Sequence, residues 1–450
     1  MFYELQSLFE YFLLILAVFF FGWLVFSRPK MALAFLFFAL PSYLVKVKIG
    51  LLTLTLLDLF FLVLIAIFGF SWLKNNFWRR ALQRQGTKWL VGFWLLGLVL
   101  SLIAKDSLSA LGGFKSLILL PSLALWLMKE KGFLKSPCLR RYLTSFFFSG
   151  LAVALIASTC KIFGVLTWDG RLAALWQSPN QLGMFLGMAF LAGVALFLEK
   201  GCSLAAGKRS LSFLLLSGLI LPPLLFSYSA GAFVSLLAAL ILGAVFMKTK
   251  NRLAASVLFS GLYLTALSWL IFFGNKLSFL GESFFSRLDI WRAAKKIIAE
   301  NFFTGIGFSN FQEYYLNFQR YFPAYREWAV PHAHSLWLDA ILNLGIAGLL
   351  AFILIFLGWL GWIVKKAPSF ESLERKRENK KTGRETVFFV FLFFYLLVYG
   401  LVDEPVFRND LVFLLWLAIF QISSAYKWLS YPLMKKRKSL SSETIKEEAS

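Results

Sequence analysis

The sequence predicts an all-α fold: a polytopic transmembrane helical bundle of about 12–13 helices with one large loop that contains amphipathic helices. Three observations predict it. Hydrophobic residues make up 59% of the 450 and charged residues 15%, against about 45–50% and about 25% in soluble domains. Mean hydropathy is +0.73. Apolar runs approaching the ~20 residues that cross a bilayer recur along the chain.

Taken in order, the candidate spans are 8–26, 31–46, 51–72, 89–104, 108–128, 143–163, 181–198, 211–227, 231–247, 253–273, 336–364, 386–401 and 411–426. The stretch 31–46 contains Pro41 and ends in Lys46 and Lys48, so either twelve or thirteen spans fit. Met1–Phe26 has no charged leader and no small-residue cleavage site, and reads as a retained helix rather than a signal peptide. The whole of 1–450 forms one integral membrane domain, with a large loop at 274–335, a basic loop at 365–385 and a tail at 427–450.

The net charge of +23 would point a soluble protein toward nucleic acid. Here it sorts by side. With Arg28, Lys30, the connections at 74–88, 129–141, 199–209, 248–252 and 365–385 and the tail placed in the cytoplasm, 32 of the 46 Lys and Arg lie inside and 13 outside, with Lys115 in a span. That is the positive-inside pattern. The surplus is a topology signal, and no nucleic-acid partner is expected. Cys138, Cys160 and Cys202 form neither a disulfide framework nor a metal-type spacing. No glycine-rich phosphate loop is present, which excludes an ATPase or a nicotinamide enzyme, and no cofactor is expected.

The loop at 274–335 is far longer than the other connections, as functional loops often are. In Phe285–Ile298, apolar Leu288, Ile290, Trp291, Ala294, Ile297 and Ile298 interleave with Arg287, Arg292, Lys295 and Lys296. That spacing predicts a helix lying in the membrane interface. Thr304–Gly307 breaks it, and Phe311–Phe322 resumes the pattern. Ionisable residues inside spans are Asp58, Lys115 and Asp339. Each is costly in a bilayer, and Asp58 and Lys115 are expected to pair.

Three polar clusters fall on the outer side of the charge-derived topology. They are Trp168–Arg171 with Ser178–Gln181, Ser227–Gly231, and Pro331–Ser335, which holds the only two histidines, His332 and His334. Their common side points to one cavity. Arg171 and Arg287 supply forked donors suited to phosphate oxygens, and a histidine can take a proton near neutral pH. Two histidines at i, i+2 with few carboxylates nearby in sequence are weak metal-binding chemistry, so no metal site is expected. An anionic lipid substrate fits, with Arg holding phosphate as leaving group and His activating a hydroxyl.

The stretch His334-Ser335, nine residues, then Gly345-Ile346-Ala347-Gly348 resembles the H-[NSQ]-x9-G-x-x-G pattern of the O-antigen ligase and O-antigen polymerase superfamily. Pro179-Asn180, the Ser227–Gly231 turn, the Arg-x-x-Ile-Trp segment Arg287–Trp291 and the turn Gly305–Gly307 follow the same order. Where many members carry Ser-Arg-Gly, this chain has Ser229-Ala230-Gly231, which moves phosphate binding away from that turn. The resemblance implies glycan transfer from undecaprenyl diphosphate on the periplasmic face of the bacterial inner membrane, inverting and without metal. It implies His334 as base and Arg171 and Arg287 as diphosphate ligands. Asn180, Ser229, Trp291, His332 and Asp339 are the further substrate-binding candidates. Gly345 and Gly348 would allow close packing against a neighbour. The expected partners are the lipid-linked glycan, a lipid A–core or other glycan acceptor, and membrane lipids. Lipid A–core ligation is favoured; repeat-unit polymerisation and protein O-glycosylation are the alternatives within the class. A solute transporter of bicarbonate type is the alternative outside it, but the internal repeats of transporters are not seen.

Overall fold

A computed structural model describes residues 2–49, 52–74, 85–199, 208–273, 282–318, 330–367 and 386–425. The expectations for the rest of the basic loop at 365–385, the tail, and positions 274–281 and 319–329 of the long loop lie outside the described residues.

The chain is all-α, as the hydropathy requires. Its helices are α1 Phe2–Ser27, α2 Pro29–Phe38, α3 Leu56–Lys74, α4 Gln85–Leu102, α5 Ser107–Glu130, α6 Ser136–Ile162, α7 Pro179–Glu199, α8 Lys208–Gly218 and α9 Leu221–Phe226. There follow α10 Ala230–Lys248, α11 Arg252–Phe273, α12 Glu282–Glu300, α13 Phe311–Phe318, α14 Leu336–Lys366, α15 Thr386–Tyr399 and α16 Val412–Ala425. Among the described residues, five helices are long and apolar enough to cross a membrane: α5, α6, residues 179–198 of α7, α10 and α14. Shorter apolar helices fall on the other predicted spans.

Two segments differ from the sequence expectation. The span foreseen at 31–46 breaks where its proline stands: α2 stops at Phe38, and a 3₁₀ turn runs over Leu40–Leu44, since Pro41 has no N–H to continue an α-helix. The span foreseen from residue 51 begins at Leu56 instead, because Lys46–Ile49 (β1) and Leu52–Thr55 (β2) pair as an antiparallel hairpin. The β-branched and alternating run Val47, Ile49, Thr53, Thr55 suits that state. Asp58, at the start of α3, forms the predicted pair. It accepts from Lys115 Nζ at 3.1 Å and Ser116 Oγ at 3.0 Å, and its carboxylate also caps the Thr55 N–H at 3.1 Å.

The centre of the bundle is α15. Every residue of it but Val398 is buried, as a helix apolar on all sides must be, and it packs on α7, α10 and α14. Where it ends, the Gly400 carbonyl accepts the Leu336 N–H at 2.9 Å. This one bond brings the connection 400–411 beside the start of α14 and its histidines.

The long loop also folds onto the bundle. The apolar stripe of α12 is buried against Ile306, Phe311, Tyr315, Val330, Ala333 and Leu342, so protein covers the face that the sequence assigned to the membrane interface. Residues 302–306 dock on α14 through Ile306 N–H to Leu342 O at 2.7 Å and Ile346 N–H to Phe302 O at 2.9 Å. Gly345 breaks α14 there with φ 62°, a left-handed value that favours glycine. A Cβ at Gly345 would sit 2.1 Å from the Phe303 carbonyl oxygen. The close neighbour foreseen for the glycine motif is thus this loop.

Candidate functional site

Arg171 closes the turn that starts at Thr167, whose N–H and hydroxyl both donate to the Arg171 carbonyl at 2.9 Å. Its guanidinium reaches across to the Ser227–Gly231 turn. Nε donates to Ser227 O at 3.0 Å, and Nη2 to Asn180 Oδ1 at 2.9 Å and Tyr228 O at 3.4 Å. The first two predicted clusters are therefore one unit. Among the described residues, Nη1 has only Asp169 near it, at 3.8 Å. Ser229 caps α10 through the Ala232 N–H and meets Tyr399 Oη at 3.1 Å. Tyr399 in turn donates to the Asn180 carbonyl at 3.4 Å.

The histidine segment is fixed from two sides. Asp339, in the first turn of α14 and buried, accepts the Ala333 N–H at 2.8 Å and the Ser335 N–H at 3.4 Å. Trp291 of α12 donates its indole N–H to the Ala333 carbonyl at 3.0 Å. Between these anchors His334 adopts φ 49°, a conformation that non-glycine residues rarely adopt and that clusters at functional sites. Asp339 and Trp291, predicted to bind substrate, here position the base candidate.

The connection after α15 completes the site. Asp403 Oδ1 lies 3.0 Å from His334 Nδ1, and its Oδ2 lies 3.9 Å from Arg287 Nη2. Arg287 Nε donates to the Val402 carbonyl at 2.7 Å. Burial alone would push the Asp403 carboxyl up, but His334, His332 and Arg287 outweigh it and hold it below the usual carboxylate range. An ionised carboxylate only accepts, so Nδ1 of His334 donates and Nε2 is left as the basic nitrogen.

The His332 ring lies 4.2 Å from the His334 ring, tilted by 59°, and accepts the His334 N–H on Nδ1 at 3.3 Å. Burial, then the neighbouring His334, lowers its pKa to about 3. Its Nε2 stands 3.5 Å from Glu404 Oε1. Burial, Asp339 and Asp403 push the Glu404 carboxyl well up, so this second His–carboxyl pair is an uncharged contact. Deeper still, Arg408 Nη2 binds Asp410 at 2.9 Å and the Tyr43 hydroxyl at 3.2 Å, while Nη1 donates to the Gln181 carbonyl at 2.9 Å.

All eight predicted residues therefore lie on one hydrogen-bonded and ion-paired network, with Arg171 joined to the histidines through Asn180, Tyr399 and the start of the 400–411 connection. The sequence reading missed Asp403, Glu404, Tyr399 and Arg408. The available signal was the acidic pair Asp403-Glu404 in a short polar break between two strongly apolar helices. Beside the site lies an apolar cavity of about 670 Å³ lined by Trp291, Lys295, Ser335, Trp337, Ile353 and Leu360, among others. Two overlapping triads hold possible metal ligands: His332 with His334 and Asp403, and His332 with Asp339 and Glu404. The carboxylates that the sequence left scattered are gathered here around the histidine pair.

Residues 211–353 match the family model described as O-antigen ligase, which supports membership of the O-antigen ligase/polymerase superfamily. Members are membrane glycan ligases and polymerases, and the match implies a lipid-linked glycan substrate. No curated protein matches the chain. The matched segment holds Arg287, both histidines and the Gly345–Gly348 pair, whereas Arg171 and Asp403 come from outside it.

Proposed function

We propose that the protein transfers a glycan from undecaprenyl diphosphate to an acceptor hydroxyl at the periplasmic face of a bacterial inner membrane, lipid A–core being the acceptor. The observation that carries this reading is the arrangement of His334, Asp403 and Arg287, with an apolar cavity lined by the neighbouring Trp291 and Ser335 beside it. Asp403 holds the imidazole with Nε2 toward the acceptor. Nε2 takes the hydroxyl proton as the oxygen attacks the anomeric carbon, and the bond from that carbon to the diphosphate oxygen breaks on the opposite side. One displacement inverts the anomeric centre. Arg287 and Arg171 neutralise the charge that grows on the departing diphosphate, which preorganised donors stabilise most effectively. The cavity beside Trp291 suits the polyprenyl chain, whose CH2-rich surface is driven there by the hydrophobic effect.

The test uses purified protein in vesicles supplied with a polyprenyl-diphosphate glycan and lipid A–core. Transfer of the glycan to lipid A–core without ATP is the expected result. Chain growth on a second lipid-linked glycan would identify a polymerase instead, and solute flux with no glycan product would contradict the reading.

A further inference from the structure

In the turn that carries the base, three successive backbone N–H groups each end on a side chain. Asp339 takes those of Ala333 and Ser335 at 2.8 and 3.4 Å. The middle one, that of His334, goes to His332 Nδ1 at 3.3 Å. It belongs to the residue with φ 49°, a conformation that persists only where the surroundings over-determine it. Asp339 and Trp291 fix the residues on either side; His332 holds the strained residue itself.

The acceptor is held in its turn. With Nδ1 accepting, the one proton of a neutral imidazole sits on Nε2, and Nε2 faces Glu404 Oε1 at 3.5 Å. Burial, then His334, keeps the His332 ring uncharged, so the Nδ1 lone pair stays available. The Glu404 N–H donates to Asp403 Oδ1 at 2.9 Å, the same oxygen that lies 3.0 Å from His334 Nδ1. These contacts close a ring. Asp403 takes the side chain of the base, and Glu404, the next residue, reaches its main chain through His332.

We infer that His332 is a positioning residue for glycan transfer: its Nδ1 holds the His334 main chain in the left-handed turn that sets the His334 imidazole against Asp403. The inference rests on His334 being the base. It gives the two histidines opposite neutral tautomers, Nε2–H at His332 and Nδ1–H at His334. Without the acceptor, the His334 N–H is left unpaired inside the turn, which costs free energy. Relaxation of φ toward negative values relieves that cost and the strain together, and it swings the imidazole off Asp403. His332, a substrate-binding candidate by sequence, thereby acts on the base.

The experiment labels the full-length protein with ¹⁵N-histidine and records long-range ¹H–¹⁵N spectra in detergent at mildly alkaline pH, where histidine is neutral. The chain has two histidines, so two imidazoles are seen, and His332→Asn leaves only that of His334 and assigns both. One ring protonated at Nε2 and the other at Nδ1 is the expected wild-type result. His332→Asn puts an amide oxygen near the Nδ1 position. It should keep His334 in the Nδ1–H form, with kcat within about threefold of wild type. His332→Leu has no acceptor. There His334 should lose its Nδ1–H preference and kcat should fall about 10- to 10²-fold, with the KM for a polyprenyl-diphosphate glycan unchanged. A wild-type His332 protonated at Nδ1 overturns the inference, as does a leucine variant with the His334 tautomer and kcat of wild type. So does a leucine variant that raises KM alone, which would make His332 a substrate contact. The tautomers are read without substrate, so the wild-type spectrum tests the inference even where a variant fails to fold or transfer is absent.

Discussion

Two arginine–aspartate pairs are built around the connection between α15 and α16. Arg408 and Asp410 meet at 2.9 Å with side chains 5% and 0% exposed. Arg287 and Asp403 stand 3.9 Å apart, the arginine 15% exposed and the aspartate shared with His334. The first pair is closed: Arg408 also meets Tyr43, the Gln181 carbonyl and Met184 Sδ, Asp410 accepts the Leu411 N–H, and Tyr43 and Trp176 flank the guanidinium at 6.0 and 5.8 Å. Burial opposes the charge on Arg408, yet Asp410 and Tyr43 raise its pKa. The second pair is looser, and its carboxylate orients a histidine. Arginines that pair with the same connection, one on it and one on α12, can thus serve the fold in one case and the candidate site in the other. Arg408 is the more deeply enclosed of the two, and Arg287 is the one whose aspartate also holds a histidine.

That contrast can be broken from either end. The largest effect is expected from Arg408→Ala, which leaves Asp410 buried without a counter-charge and should destabilise the protein by about 3–5 kcal/mol. Thermal or denaturant unfolding in detergent measures it; a loss below about 1 kcal/mol would mean that the closed pair does not hold the fold. Asp403→Asn should leave unfolding nearly unchanged and reduce glycan transfer about 10²-fold, because an amide does not enforce the Nδ1–H tautomer. Transfer kinetics at saturating donor read this directly. Gly345→Ala forces a Cβ toward the Phe303 carbonyl at a left-handed φ and should lower stability by about 1–3 kcal/mol. The smallest effect is expected from Arg287→Lys, which keeps the charge and loses the fork. Donor affinity should fall about tenfold with the fold intact, and unchanged affinity would remove Arg287 from the diphosphate site.

How much of this was legible in the sequence follows from what each feature depends on. Hydropathy placed the helices because membrane burial acts on local composition. The Asp58–Lys115 pair was readable because two isolated charges in apolar helices have few other partners. Pro41 announced the break in its own span. The hairpin at 46–55 was missed because a short β-branched run beside an apolar helix has the same hydropathy as the helix. The α12 stripe was assigned to the interface because periodicity reports an apolar face without saying what covers it. His334, Arg171 and Arg287 stood out as rare cations and histidines on one side. Asp403 did not, since its role arises only when Gly400 accepts from Leu336 and sets two distant segments side by side. Contacts of that kind are tertiary, and no single segment encodes them.

The central claim is that His334, oriented by Asp403, is the base for glycan transfer. Single-turnover transfer with His334→Ala, at donor concentrations where binding of the polyprenyl-diphosphate glycan is measured in the same sample, tests it most directly. The account predicts a rate lower by about 10²–10⁴-fold with donor affinity within about threefold of wild type. A rate close to wild type, with donor fully bound, would contradict it.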